Sequence, residues 1–271
     1  METISEGMGR LALSEDEKWI NEGEEIEEEE KDEMVNKSKE LEDDEEKGEE
    51  MVNKVGGVVL GKDAKWIKHY SSSQKILLVG EGDFSFSAAL ATAFGDASNM
   101  VATSLNSHGF LAENYKNALP NVDMLTNKGC TVMHGVDVRI MAYNALLRLE
   151  GLTFDRIVFN FPFARLSKKS PSPSIQCQQG LVRAFLKNAV KMIGEDGEIH
   201  ITHKTNGSHI YWDITGLAYK QGLELVKYAD FRLEDYPGYN TKFGFGGDRN
   251  FNCYPSTTYM FRLSDDGRGS D

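Results

Sequence analysis

A chain of 271 residues with 40% hydrophobic residues can build a globular core, and none of its apolar runs approaches the roughly 18 residues that cross a bilayer, so a soluble protein is expected. The net charge of −13 is concentrated at one end: residues 1–55 hold 22 acidic and 7 basic residues, a net of −15, which leaves +2 for the remainder. Three cysteines, Cys130, Cys177 and Cys253, are odd in number and lack ligand spacing, and no secretory h-region precedes them, which argues against a disulfide scaffold or a bound metal and for free thiols in a reducing compartment.

Residues 1–55 contain Glu27-Glu28-Glu29-Glu30 and Glu42-Asp43-Asp44-Glu45-Glu46, too polar to offset chain entropy, and are expected to form a disordered acidic tail. Such a tail solubilises; it could also compete with nucleic acid for the cations of the body or dock a basic partner. Residues 56–74 read as a linker, 75–264 as one folded domain and 265–271 as a flexible end. Strands are expected at Lys75–Val79, Met100–Leu105, Thr131–His134, Phe154–Phe159, Glu198–His203, Glu224–Tyr228 and Thr258–Leu263. Helices fall between them at Phe86–Phe94, Gly109–Asn127, Arg139–Leu149, Gln178–Ile193 and Trp212–Gln221. This alternation predicts an α/β fold, a seven-stranded, mostly parallel sheet covered by helices on both faces, with its ligand at the carboxyl ends of the strands.

The first strand runs into Gly80-Glu81-Gly82-Asp83-Phe84-Ser85 and then a helix. Two glycines let a ligand approach the backbone, and the helix start offers free N–H groups. A dinucleotide fingerprint would carry a third glycine or alanine where Ser85 stands, and Asp83 would repel a pyrophosphate. An anionic turn suits S-adenosylmethionine, whose sulfonium end Glu81 or Asp83 could attract. At the tip of the second strand Asn106 could accept from a ribose hydroxyl, without the strength of a carboxylate. After the third strand Asp137 could accept from an adenine amino group while Val138 packs on the ring, or it could cap the next helix.

The fourth strand ends in Asn160-Phe161-Pro162-Phe163. A carboxamide beside a rigid proline turn can hold a planar imide by paired hydrogen bonds, and Phe161 or Phe163 can stack on it. On the fifth strand Glu198, His200, Thr202 and Lys204 share one face by period two; Lys204, at the carboxyl end, could meet substrate or phosphate. His200 and His203 point to opposite faces, so no metal is expected, and His200 reads as a satisfied buried histidine. The connection Asp235–Phe251 is too glycine-rich for a helix. Its Tyr239, Lys242 and Arg249 are candidates for holding nucleotides.

Lys75–Ser87 (KILLVGEGDFSFS), Phe154–Pro162 (FDRIVFNFP) and Gly197–Lys204 (GEIHITHK), followed by Trp212 and Tyr236-Pro237-Gly238-Tyr239, resemble the Rossmann-like domain of eukaryotic 25S-type ribosomal RNA uridine-N3 methyltransferases. The resemblance covers about Ile76 to Leu263. It implies a class I methyltransferase fold with an antiparallel last strand, S-adenosylmethionine as cofactor, ribosomal RNA or a pre-ribosome as partner, and the nucleus or nucleolus as its place, with the cytoplasm as alternative. Gly80, Glu81, Gly82 and Asp83 carry over as the cofactor turn, and Asn160 and Pro162 as the turn beside the target base. The chain departs from the family pattern at Asn106, where an Asp is usual, and at Phe163 and Arg165, where a His and a Gly usually follow. Two other functions stay open: a small-molecule methyltransferase, and a methyltransferase fold without activity that binds or assembles. The oligomeric state and the modified nucleotide are left open.

Overall fold

The central strands are apolar runs buried from end to end, and they set the order of everything else. In the computed structural model, which describes residues 64–147, 153–164, 174–244 and 247–264, nine strands occur: β1 (Trp66–Ile67), β2 (Tyr70–Ser71), β3 (Ile76–Val79), β4 (Met100–Ser104), β5 (Thr131–His134), β6 (Phe154–Asn160), β7 (Ile193–Lys204), β8 (Leu223–Asp230) and β9 (Ser256–Leu263). The last seven form one sheet in the order β5-β4-β3-β6-β7-β9-β8. All neighbours from β5 to β7 are parallel, and β9 is antiparallel to both β7 and β8. This is the expected seven-stranded sheet.

Among the described residues the α-helices are α1 (Ser85–Phe94), α2 (His108–Asn114), α3 (Ala118–Asn127), α4 (Ile175–Ala189) and α5 (Ile214–Tyr219). Two cores separate on the two faces of the sheet. Val182, Phe185 and Leu186 of α4 and Leu217 of α5 pack on Ile157, Ile199 and Ile201. Phe86 and Leu90 of α1 and Leu125 of α3 pack on Ile76, Leu78 and Val158. Helices on both faces explain why β3 and the middle of β6 are continuously apolar rather than alternating. The strand order reverses between β3 and β6, and a ligand crevice belongs at such a reversal, beyond the carboxyl ends of the strands.

Several sequence-predicted boundaries change. The helix expected over Gly109–Asn127 is two helices, because Tyr115 adopts an extended conformation (φ −133, ψ 113) and its hydroxyl donates to a distant loop. Over Arg139–Leu149 the described residues form no α-helix but 3-10 turns, at Met141–Tyr143 and again at 146–147, the first held by the buried Asn188, whose Oδ1 accepts from Ala142 N and whose Nδ2 donates to Arg139 O. Trp212 closes a 3-10 helix, Gly207–Trp212, ahead of α5. Within the expected linker, β1 and β2 pair as a small antiparallel ribbon. The acidic residues 1–55 and the last residues, 265–271, lie outside the described residues, as does Arg165.

The ribbon is fastened to the sheet by a polar group in the core. The Tyr70 hydroxyl meets His200 Nδ1 at 3.2 Å, and His200 Nε2 meets Glu198 Oε2 at 3.0 Å. Arg262 donates twice to Glu198 Oε1, and Arg156 Nε lies 3.5 Å from Oε2. The period-two face predicted for β7 is therefore present, and His200 is the satisfied buried histidine expected. Burial lowers the pKa of the imidazole against the opposing effect of Glu198. Burial also pushes the Glu198 carboxyl up, but His200 and the two guanidinium groups outweigh it and bring its pKa down to about 2. Since the ordinary value is 4.5, its contribution to stability is complete above about pH 4.5 and disappears as pH falls toward 2. Glu198→Gln should lower the unfolding free energy at pH 7 by on the order of 2–3 kcal/mol. In urea titrations the gap to wild type should close on acidification through that window, and a gap independent of pH would contradict the assignment.

Candidate active site at the carboxyl edge of the sheet

The glycine turn leaves β3 beside the end of β6, with Val79 opposite Phe159 in the register. Gly80 has φ +70, and a Cβ on it would come 2.4 Å from the Phe159 ring. Both facts require glycine: the conformation is left-handed, and the ring occupies the space a side chain would need. Phe84, at the head of α1, is also left-handed (φ 60), as is Phe161 (φ 49). Non-glycine residues in this region carry a conformational cost of order 1–3 kcal/mol each and cluster at ligand sites.

The two turns thus lie on adjacent strands at one edge. Glu81 N donates to Thr103 O of β4, and Ser104 Oγ donates to Glu81 O at 2.6 Å. The Glu81 side chain does not face outward toward a cationic ligand, as expected from sequence. Its Oε2 accepts from Ser87 N and Ser87 Oγ inside α1, and burial raises its pKa to about 7. Asp83 splits its carboxylate: Oδ1 accepts from Ser85 N, while Oδ2 is buried without a protein partner. Burial raises the Asp83 pKa too.

At the end of β6, Asn160 pairs in register with Thr202, and Phe161 N donates to Thr202 O at 2.8 Å. Both polar atoms of the Asn160 carboxamide are buried and unpaired within the protein. Pro162 is buried, and Phe163 is 51% exposed. The stacking role open to Phe161 is corrected: its ring packs edge-on against Phe231 and Phe251, at 5.4 and 5.2 Å, in the core. Lys204 ends β7, half-buried, with Cys253 and His209 in its electrostatic surroundings.

On the other side of the glycine turn, Asn106 N donates to the Ser104 hydroxyl. Asp137 does not cap a helix. Its carboxylate receives Arg139 N and the Arg139 guanidinium, which bring its pKa down against the opposing effect of burial. Val138 is buried. His134, at the tip of β5, is a residue that sequence reasoning misses. Its Nδ1 is buried and unpartnered, its ring meets Phe84 and His108 edge-on, and burial lowers its pKa. The signal available is its place as the last residue of the third strand of the sheet.

The long connection before β9 does not project from the body. Tyr239 and Tyr236 pack on Phe86, and Tyr236 stacks on Phe231. Ser85 Oγ bonds both Asn240 N and O, and Tyr115 OH donates to the carbonyls of Phe243 and Gly244. Lys242 lies against Gly82, 3.5 Å from where a Cβ would stand. The expectation that Lys242 holds a nucleotide is corrected: its side chain is 7% exposed and its Nζ pairs with Asp248 at 2.8 Å. Tyr239 is likewise committed to packing. Arg249 lies over the Phe243 ring, 5.9 Å from its centre.

Five of the six buried side-chain atoms without a partner among the described residues belong to Asp83, His134, Asn160 and Ser256. All four residues lie at the carboxyl edge of the parallel strands; Ser256 pairs with Lys204 at the end of β7. Native proteins pair nearly all their buried polar atoms, so a concentration of exceptions on one edge marks a place for ordered water or a polar ligand. Among the described residues no group of three or more His, Cys, Asp or Glu is placed to hold a metal, and no helix is long and apolar enough to cross a membrane. Gly80→Ala should lower the melting temperature and the unfolding free energy by roughly 2–4 kcal/mol, from the left-handed backbone together with the clash on Phe159. A melting curve equal to wild type would show that the turn does not need the close approach.

Residues 77–243 match the family BMT5-like, described as rRNA (uridine-N3-)-methyltransferase BTM5-like. An uncharacterized Arabidopsis thaliana protein is 48% identical over 206 residues, which is 74% of this chain and 98% of that protein. Heavy metal-associated isoprenylated plant protein 41 of Arabidopsis thaliana is 40% identical over 207 residues, but the match spans only 40% of its length. The ferredoxin-fold anticodon-binding domain-containing protein 1 homolog of Mus musculus is 29% identical over 202 residues, 70% of this chain and 31% of that protein. Solved structures resemble the chain more loosely. NSun6 from Pyrococcus horikoshii has a TM-score of 0.46 at 15% identity over 72% of this chain and 49% of its own. N-methyltransferase NodS from Bradyrhizobium japonicum has a TM-score of 0.39 at 13% identity over 69% and 76%.

Proposed function

Because the chain belongs to the BMT5-like family of rRNA methyltransferases, we propose that it uses S-adenosylmethionine to methylate N3 of a uridine in large-subunit ribosomal RNA. The observation that supports this most is the carboxamide of Asn160, buried with neither its Oδ1 nor its Nδ2 paired, at the switch point beside the glycine turn. A uridine imide presents carbonyl acceptors on either side of a single N–H donor. The Asn160 Nδ2 can donate to one of those carbonyls and orient the ring while leaving N3 open to the methyl donor.

The residues present fit the cofactor. Asp83 Oδ2 and His134 Nδ1, both buried without a protein partner, are assigned to it, and Asn106 and Val138 are the candidates for its ribose and its ring. When bound, S-adenosylmethionine supplies a methyl group on a cationic sulfur. Glu81 acts as a brace for the turn, through Ser87, Thr103 and Ser104, rather than as a direct contact. The ring of Phe163 is exposed at the same turn and can cover the target base, while Lys204 supports anionic character on it. Alignment is the main contribution of the chain. Holding two reactants in line is worth about 7–11 kcal/mol, and Asn160 is fixed for it by the Phe161–Thr202 hydrogen bond and by Pro162. In the net reaction an N3–H bond is replaced by N3–CH3, and the proton is released. Substrate RNA and pre-ribosomes would place the protein in the nucleus or nucleolus.

Purified protein should bind S-adenosylmethionine and its demethylated product in calorimetry and transfer labelled methyl to N3 of uridine in undermethylated large-subunit RNA. Asn160→Ala should cut the rate about 100-fold or more, the scale of removing an oriented polar group from the reacting centre. Transfer at near wild-type rate by that variant would overturn the role of Asn160. Asn106→Asp should tighten cofactor binding about tenfold, since a charge-assisted bond is roughly twice as strong as a neutral one. Unchanged affinity would place Asn106 away from the ribose.

A further inference from the structure

Beyond the reacting edge, one surface has the chemistry of a second binding element. Helix α4 turns Val182, Phe185, Leu186 and Ala189 into the core, and its outer face carries Gln179, Arg183 and Lys187 at intervals of four. Four-residue spacing keeps these side chains in one gently drifting row about 12 Å long. The row continues to Lys191, whose Nζ bonds the Tyr143 hydroxyl at 2.8 Å and lies over its ring. The sequence Ile175–Ala189 contains no carboxylate. Among the described residues neither Arg183 nor Lys187 is held in an ion pair. The body as a whole is nearly neutral, so this row stands out from it.

The head of the helix is joined to the active edge. Gln178 Oε1 accepts from Ala164 N at 2.8 Å, directly after Phe163, and Gln179 Nε2 donates to Tyr211 O at 3.1 Å. Two consecutive glutamines therefore tie the head of α4 to the backbone after Phe163 and to the backbone of Tyr211. Phe163 belongs to the Asn160 turn, and Tyr211 is 64% exposed. Aromatic rings that stay in solvent beside a cationic row are the two components with which proteins hold single-stranded nucleic acid: rings stack on bases, and cations follow the phosphates.

We propose that the outer face of α4, with Phe163 and Tyr211 at its head, is the track along which single-stranded RNA next to the target nucleotide lies. This rests on the RNA substrate of the proposed function and adds where the rest of that strand goes. It also revises the expectation that the connection before β9 holds the flanking nucleotides, because Lys242 and Tyr239 of that connection are committed to the protein itself.

The test is the salt dependence of binding of a labelled single-stranded oligouridine to the full chain. Each phosphate of a single strand that is no longer neutralised by a cation of the protein reduces the slope of log K against log salt by about 0.7. Arg183→Gln with Lys187→Gln should reduce it by about 1.4, with an unchanged unfolding midpoint as the check on folding. Tyr211→Ala should weaken binding at least fivefold at fixed salt, roughly the low end of what one stacked base contributes. Lys227→Gln, on the far strand β8, should leave the slope as it is. An equal effect from Lys227→Gln, or an unchanged slope in the double variant, overturns the track. Wild type that binds oligouridine without any salt dependence would overturn the track and the RNA substrate together. Salt-dependent wild-type binding with an unaffected double variant would overturn the track alone.

Discussion

The architecture of the active edge depends on one close approach, the backbone of Gly80 against the ring of Phe159. With no Cβ in the way, the chain leaves β3 in a left-handed turn and stays within contact of β6 rather than arching away from it. That keeps the turn, Asn160 and the tip of β4 on one ledge. The polar atoms on the ledge are then buried by their neighbours without being paired by them. A fold that spends its own hydrogen bonds elsewhere and leaves these atoms open is built for a partner that brings the complementary groups.

The sheet was legible in the sequence because each central strand is a short apolar run bounded by glycine or polar residues. Ile76–Val79 and Phe154–Asn160 admit few other readings once helices alternate with them. Helices were harder. The run from Gly109 to Asn127 contains Pro120, which cannot continue a helix from the preceding turn and sits in the first turn of α3, while the Tyr115 hydroxyl anchors the break to carbonyls about 130 residues further on. The segment after Asp137 looks helical and is drawn instead into 3-10 geometry by Asn188, a buried side chain on another element. In the second case a tertiary hydrogen bond overrides local propensity.

Of the candidate site, the glycine turn and the Asn160–Pro162 turn could be read directly, since strand, turn and helix follow one another in the chain. What could not be read is the direction of each polar group. Glu81 and Asp83 have the same charge two residues apart, yet one braces α1 and the other leaves an oxygen open. The aromatic connection before β9 resembles an RNA-binding arm in composition. Its lysine is used up six residues later by Asp248, a pairing visible only once the loop has folded back through the Lys242–Asn250 bridge. His134 carried no motif and emerged only from its burial.

The folded-back connection has a consequence for the glycine turn. It is tied to Ser85 and Tyr115 and rests on Gly82, so the cofactor turn and this connection share a wall. Any occupant that shifts this wall from one side alters its fit on the other, and thermodynamic reciprocity makes the effect equal in both directions. A ligand seated at the glycine turn would therefore be felt along the connection through the seam between Gly82 and Lys242, and a change in the connection would be felt at the turn.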